Sequence, residues 1–220
     1  MKKETLAAHL VTAAFELGAQ QGWRRVSVAA AARHGNLPLD KAREQFTCTG
    51  MILTRFGRLA DMHALHGALA EGLVRDRLFD IIMRRFDFLQ KHREGVIALI
   101  RYAPTDPLLA LWLQRTNLAS MGWILEGAGV SSRGLRGELR KRGLLAVSVW
   151  ALRAWMSDET EDMSSTMAAL DAALMRADQA ARQFGGKTSD SFEPVATPAP
   201  SPIDEPDAPF AEDDNPDRPA

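Results

Sequence analysis

Apolar residues recur at helical intervals through most of the first 186 positions, and no run alternates as a half-buried strand would. Leu6, Leu10, Ala13 and Leu17 fall about one turn apart and lay a stripe along a first helix, which Gly22 ends. Ser27 stands where an N-cap belongs. It precedes Val28 to Arg33, whose four consecutive alanines make a slim helix that neighbours can approach closely. Gly35 and Asn36, the residues that most readily take left-handed backbone, end that helix. Pro38 suits the first turn of the next one, where its missing N–H has no partner to lose, and Phe46 closes it with a large apolar anchor. The outline over 27–46 is a helix-turn-helix.

The same spacing carries on towards the C-terminus. It predicts helices near 3–21, 27–34, 38–46, 50–66, 73–91, 93–102, 107–126, 133–156 and 160–184, an all-α chain of about nine helices without an internal repeat. Pro104 and Pro107 bracket one connection, Gly127 to Gly134 supply another, and Ser157 to Thr160 stop one helix and offer acidic caps to the next. Segment 143–156 is apolar nearly all round, as expected of a helix covered on both sides. Met163, Met167, Leu170, Leu174 and Ala177 then repeat at 4, 3, 4, 3 spacing, a seam suited to another helix. Two such helices per subunit would build a four-helix homodimer interface; a monomeric core would use the same residues.

Charge divides the chain more sharply than its net −1 suggests. Residues 187–220 hold nine acids against Lys187 and Arg218, a balance of −7, so residues 1–186 total +6. Eight of the eleven prolines lie in that last stretch, which has few large apolar groups. An acidic, Pro-rich tail of this kind is expected to be disordered, because it cannot offset the entropy of ordering. The remaining body is basic. Its longest apolar runs, Leu108 to Leu113 and Leu144 to Val149, are far short of the ~20 residues a membrane-spanning helix needs. Lys2 and Lys3 lead into Glu4 and a helical pattern, not the apolar core of a signal peptide. Cys48, the only cysteine, excludes an internal disulfide and suits a reducing compartment, so a cytoplasmic location is expected.

Catalytic chemistry has no foothold in the sequence. His63 and His66 lie near Asp61, one turn apart, but no further ligand completes a metal site. No glycine-rich phosphate loop, nucleophile elbow or cysteine beside a base is present. No catalytic residue, metal or cofactor is therefore expected, and the chain is not read as an enzyme. The C-terminal body is instead rich in Met and Trp. Met83, Phe86, Trp112, Met121, Trp123, Trp150 and Trp155 lie on predicted helices, and adaptable Met with flat Trp suits an apolar ligand pocket as well as an ordinary core. Arg115, within the apolar segment from Leu108 to Leu118, is the polar group that would orient a ligand if it points inward.

Nine helices with a helix-turn-helix early and two long apolar helices last resemble the TetR family of transcriptional regulators over about residues 4–184. Gly22-Trp23, Val26-Ser27-Val28, the Ala-rich second helix, Leu37 and Phe46 carry the resemblance. It implies a helix-turn-helix DNA-binding domain at 1–49 and a helical effector-binding and dimerisation domain at 50–186, with the tail at 187–220 outside it. It also implies double-stranded operator DNA, a small apolar effector and a second copy of the chain as partners. The third helix departs from the family pattern: Pro38, Asp40, Lys41-Ala42-Arg43, Glu44 and Gln45 stand where a Ser cap, a small residue and a Thr-Leu-Tyr segment are usual. Lys41 and Arg43 could still reach guanine edges or phosphates, Gln45 adenine, and Ser27 a phosphate. Arg24, Arg25 and Arg33 would add phosphate attraction. Asp40 and Glu44 oppose it unless they pair within the helix, and the same charges would also suit an exposed face with no DNA partner. The Gly22-Trp23 step, the Ala-rich second helix and the degenerate third are similar as well to the TetR-fold lipid-binding accessory family of ubiquinone biosynthesis, which does not act as a repressor; that resemblance implies a lipid-sized cavity and an exposed apolar helix for a membrane surface. That resemblance is echoed in Phe46 to Phe56 and the Ser157 to Asp162 turn.

Overall fold

The computed structural model describes residues 3–185, so the expected disorder of 187–220 lies outside the described residues. Nine α-helices follow one another, with one-turn 3-10 segments at Trp23–Arg25 and Ala103–Thr105 and no strand among the described residues. They are α1 Lys3–Gln21, α2 Val28–His34, α3 Leu39–Gln45, α4 Thr49–Leu65, α5 Val74–Gln90, α6 Arg93–Tyr102, α7 Pro107–Gly127, α8 Gly134–Ser157 and α9 Ser164–Gly185. The all-α class and the order of elements are those the apolar spacing predicts. The differences lie at the ends. Pro38 is the N-cap of α3 and not part of its first turn, with an extended ψ of 125°. α9 starts four residues later than expected because Thr160 to Met163 form the turn that Asp158 organises.

The core is continuous. α1 packs on α2, α4 and α6; α4 packs on α5 and α7; α8 packs on α7 and α9, and α9 also on α5. The stripe expected on α1 is buried: Leu6, Leu10, Ala13 and Leu17 are at most 5% exposed. Phe15 stacks on Phe56 of α4 with centroids 3.9 Å apart and receives the edge of Trp23 at 4.9 Å. Burying each of these side chains contributes roughly 1.5–3 kcal/mol. Gly22 takes a φ of 80° and swings Trp23 under α1, where the indole N–H donates to the Gly95 carbonyl at 2.8 Å. A Cβ on Gly95 would stand 2.4 Å from the Phe15 carbonyl oxygen, so α1 and α6 approach this closely only across a glycine. The Gly-Trp step is thus the joint between the helix-turn-helix and the rest of the body.

The two C-terminal helices divide their apolar residues between two faces. Met163, Leu170 and Leu174 are buried within the chain, where α9 packs on α8 and α5. Of the expected seam, Met163, Leu170 and Leu174 are thus used inside the subunit, while Met167 is half-buried and Ala177 is exposed. On α8, Leu144, Val147, Ala151 and Trp155 point inward, while Leu135, Leu139, Ala146, Val149 and Trp150 form an exposed stripe along the opposite side. Trp150 lies beside Arg176 of α9, whose guanidinium carbon is 5.7 Å from its ring. Among the described residues no helix is long and apolar enough to cross a membrane.

Candidate DNA-reading helices and an interior cavity

The helix-turn-helix is built as its sequence suggests, with the roles of two residues exchanged. The Ala30 N–H donates to Ser27 Oγ at 3.1 Å, which caps α2. α2 ends as Asn36 turns into left-handed backbone, φ 51°, while the Leu37 N–H reaches back to the Ala32 carbonyl at 2.8 Å and the Asn36 N–H to Arg33 at 3.2 Å. Gly35 keeps an ordinary φ of −83°; its place is steric, since a Cβ there would lie 2.9 Å from that of Ala13. Ala42 and Phe46 seat α3 on the core, leaving its other face to solvent.

Arg24, Arg25, Ser27, Arg33, Lys41 and Arg43 are all exposed, and Gln45 is half-buried at the end of α3. Lys41 Nζ lies 3.5 Å from Glu44 Oε2, so one acid on this face has a partner within the helix. Next to Gln45 and Phe46 runs a shallow groove lined further by Arg55, Arg58 and Trp112. Trp112 of α7 donates from its indole N–H to Thr54 Oγ1 at 3.0 Å and lies against Gly50, where a Cβ would meet its ring at 2.8 Å. α7 is thereby tied to the start of α4, immediately after α3.

A cavity of about 450 Å³ lies between α4, α5, α6, α7 and α8, within the size range of small-molecule sites. Leu53, Phe56 and Gly57 of α4, Ile82, Phe86 and Leu89 of α5, Val96, Leu99 and Ile100 of α6, and Leu145, Val149 and Leu152 of α8 make its apolar wall. α7 contributes Leu113 and the polar row Gln114, Thr116, Asn117 and Ser120; α5 contributes Arg85. Gln114 and Val149 are the exposed members of the lining and mark its mouth between α7 and α8.

Arg85 is the one charged residue in that wall. Behind it, Asp61 of α4 places Oδ1 3.2 Å from the Arg85 Nε, an ion pair whose geometry lacks hydrogen-bond alignment. The Ser120 hydroxyl donates to Asp61 Oδ2 at 2.6 Å, and Arg85 Nη2 donates to Asn117 Oδ1 at 3.3 Å. Burial pulls the guanidinium below the ordinary arginine value, and the attraction of Asp61 opposes it.

Of the residues expected at a ligand, Phe86 lines this cavity. Met83 is half-buried against the core, and Met121 is fully buried with its sulfur 3.5 Å from the Ser148 hydroxyl. Trp112, Trp123 and Trp150 are exposed, as is Arg115. The charged group that faces the cavity is Arg85, which with Asn117 and Ser120 is not among the residues expected from the sequence. Their signal was present: Leu78, Ile81, Ile82, Phe86 and Leu89 form an apolar face that Arg85 interrupts. Arg55 and Arg58, which line the groove beside Gln45, are likewise not among the residues the sequence marks.

No family model and no curated protein sequence matches the chain. Solved structures do. A TetR transcriptional regulator from Nitrosomonas europaea ATCC 19718 superposes with a TM-score of 0.63 at 19% identity, covering 80% of this chain and 99% of that one. A TetR transcriptional regulator from Rhodococcus sp. RHA1 gives 0.57 at 13% identity, with 80% and 97% covered. A TetR-family regulator from Streptomyces coelicolor gives 0.54 at 20% identity, with 84% and 87% covered. The chain has the fold of the TetR-family transcriptional regulators.

Proposed function

We propose that this chain is a one-component transcriptional regulator of the TetR type, which binds operator DNA as a homodimer through α2 and α3 and answers to a small apolar effector in the cavity. The observation that carries the reading is the capped helix-turn-helix, seated on the core through Ala42 and Phe46, with the charged face of α3 left open. Over residues 24–44 five cations outnumber the two acids, Asp40 and Glu44, and phosphate attraction is what gives such a face its affinity. Lys41, Arg43 and Gln45 are the proposed base or phosphate contacts; Arg24, Arg25, Ser27 and Arg33 are proposed for the backbone. The division into a DNA-binding part at 1–49 and an effector and dimerisation part at 50–186 belongs to the same proposal. So does the absence of catalysis. The lipid-binding accessory reading is not favoured, since the structures compared above are transcriptional regulators.

The test is selection of genomic fragments by the purified full chain, followed by binding to the enriched site across a salt series. A palindromic site near the chain's own gene is expected, with affinity falling steeply as salt rises. Lys41→Ala with Arg43→Ala should weaken it at least about 10-fold, on the order of what one lost base or phosphate contact costs. Recovery of no enriched sequence would remove the DNA-binding reading.

A further inference from the structure

The cavity wall is electrically unusual for a pocket that holds a cation. Arg85 reaches it from α5, but its charge is already met by Asp61 from α4, and the two side chains are only 13% and 12% exposed. Ser120 holds the carboxylate in place through its 2.6 Å hydrogen bond, so Asp61 is fixed behind the guanidinium. An anionic ligand would find no net positive charge to meet it. It would have to displace Asp61 or enter the apolar interior unpaired, and either is costly. A cation would meet Arg85 with like sign.

The hydrogen-bonding inventory narrows the choice further. On α7 the polar row inside the exposed Gln114 at the mouth is turned back on the protein. The Asn117 amide donates to the Leu113 carbonyl at 2.9 Å, the Thr116 hydroxyl donates to Trp112, and the Ser120 hydroxyl is spent on Asp61. The Ser148 hydroxyl faces the Met121 sulfur. Arg85 carries five N–H donors, and among the described residues its only aligned acceptor is Asn117 Oδ1. The cavity therefore offers a strong donor without a net charge, set in a wall of Leu, Ile, Val and Phe.

We propose that this cavity selects an uncharged, mainly apolar molecule whose carbonyl oxygen accepts from Arg85, and that Asp61 is the residue that enforces neutrality; this rests on reading the cavity as the effector site. The class is that of medium-chain ketones, esters and lactones. Its volume corresponds to about 15 water molecules at the ~30 Å³ each takes in the liquid, enough for a chain of ten or so carbons with one polar end.

Calorimetric titration of the full chain at about pH 8 with three probes tests the class: a ten-carbon methyl ketone, the ten-carbon carboxylate and the ten-carbon primary ammonium. The ketone should bind about 10-fold or more tightly than either ion, a difference that a single well-placed polar group readily supplies. Asp61→Asn keeps an acceptor for Ser120 while exposing the Arg85 charge, and should reverse the order in favour of the carboxylate. Leu145→Trp, which fills the cavity, should abolish ketone binding. A carboxylate that binds the native chain as tightly as the ketone overturns the neutrality proposal and leaves the cavity as a site. Absence of binding by every probe, or ketone binding unchanged in Leu145→Trp, overturns the cavity reading itself. The ranking in the native chain decides the matter alone if Asp61→Asn does not fold.

Discussion

At the corner between α2 and α3, a methyl group on Gly35 would stand 2.9 Å from the Ala13 Cβ, inside normal contact, although the backbone there suits any residue. Gly35→Ala should therefore cost about 1–3 kcal/mol by overpacking. Combining it with Ala13→Gly should recover part of that cost, in spite of the ~1 kcal/mol that glycine costs inside α1. Urea denaturation of the four members of the cycle measures the coupling; purely additive effects would mean that the contact is not the cause. Asn36 is the converse case. Its φ of 51° is strained for a side chain, so Asn36→Ala should destabilise by about 1–2 kcal/mol where Asn36→Gly does not. His92 makes a third prediction from its surroundings of Phe15, Phe56 and Phe88. Burial lowers its pKa from the ordinary 6.5, Glu16 opposing and Lys91 assisting. The unfolded chain thus takes up a proton at a higher pH than the folded one. Stability is intact above pH 6.5 and falls as the pH drops through 6.5 towards the lower folded value. A His92→Gln variant should show a shallower loss between pH 7 and 5, read from urea midpoints.

Among the elements, the turn between α8 and α9 depends on one side chain. Asp158 Oδ1 accepts from the Thr160 N–H and hydroxyl at 3.1 and 2.6 Å, while Oδ2 accepts from the Thr166 N–H and hydroxyl at 2.7 Å each. Arg93 of α6 fastens the same turn by donating to the Met156 and Asp158 carbonyls, and its guanidinium lies 4.8 Å over the Trp155 ring. The bonds from Thr160 and Thr166 hold the Asp158 carboxyl well below the usual carboxylate range. Its contribution is present above the unfolded value near 3.9 and lost as the pH falls below it. Asp158→Asn must turn an NH2 group towards one pair of donors. It should fray the first turn of α9, seen as faster amide exchange from Ser164 to Ala168, and flatten the acid unfolding limb. Unchanged exchange there would show that Arg93 alone maintains the turn. The acidic run before α9 was legible as a cap in the sequence, but its reach of eight residues to Thr166 was not, because spacing reveals local caps and not the path of a turn. The buried Asp61–Arg85 pair was hidden for a related reason. Each interrupts an apolar face on its own helix, and only packing brings the two interruptions together.

For the molecule as a whole, the exposed apolar surface is the feature that one chain does not explain. Leu135, Leu139, Val149 and Trp150 run along the outer side of α8, with Met175 exposed on α9 beside Arg176. The periodicity of α9 was legible in the sequence, yet it marked the inner seam: Met163, Leu170 and Leu174 are consumed by α8 and α5. A two-faced helix gives its stronger pattern to its own subunit, and the weaker outer stripe is found only once the inner one is accounted for. If the outer stripe is the subunit interface, Trp150 is its most influential residue, since large aromatic side chains dominate such surfaces. Trp150→Glu with Met175→Glu would place two acids on this face and, with its mate, four across the two-fold axis. Like charges brought together out of water oppose association by several kcal/mol. Sedimentation should then find a dimer for the native chain and a monomer for the variant, with the helical circular dichroism of the two alike. Two half-sites bound by one dimer also share a single association cost, so the variant's affinity for a palindromic site should fall by about 100-fold or more while its affinity for a half-site is unchanged. A variant that stays dimeric would assign the interface elsewhere, and a monomer with undiminished affinity for the palindrome would separate dimerisation from DNA binding.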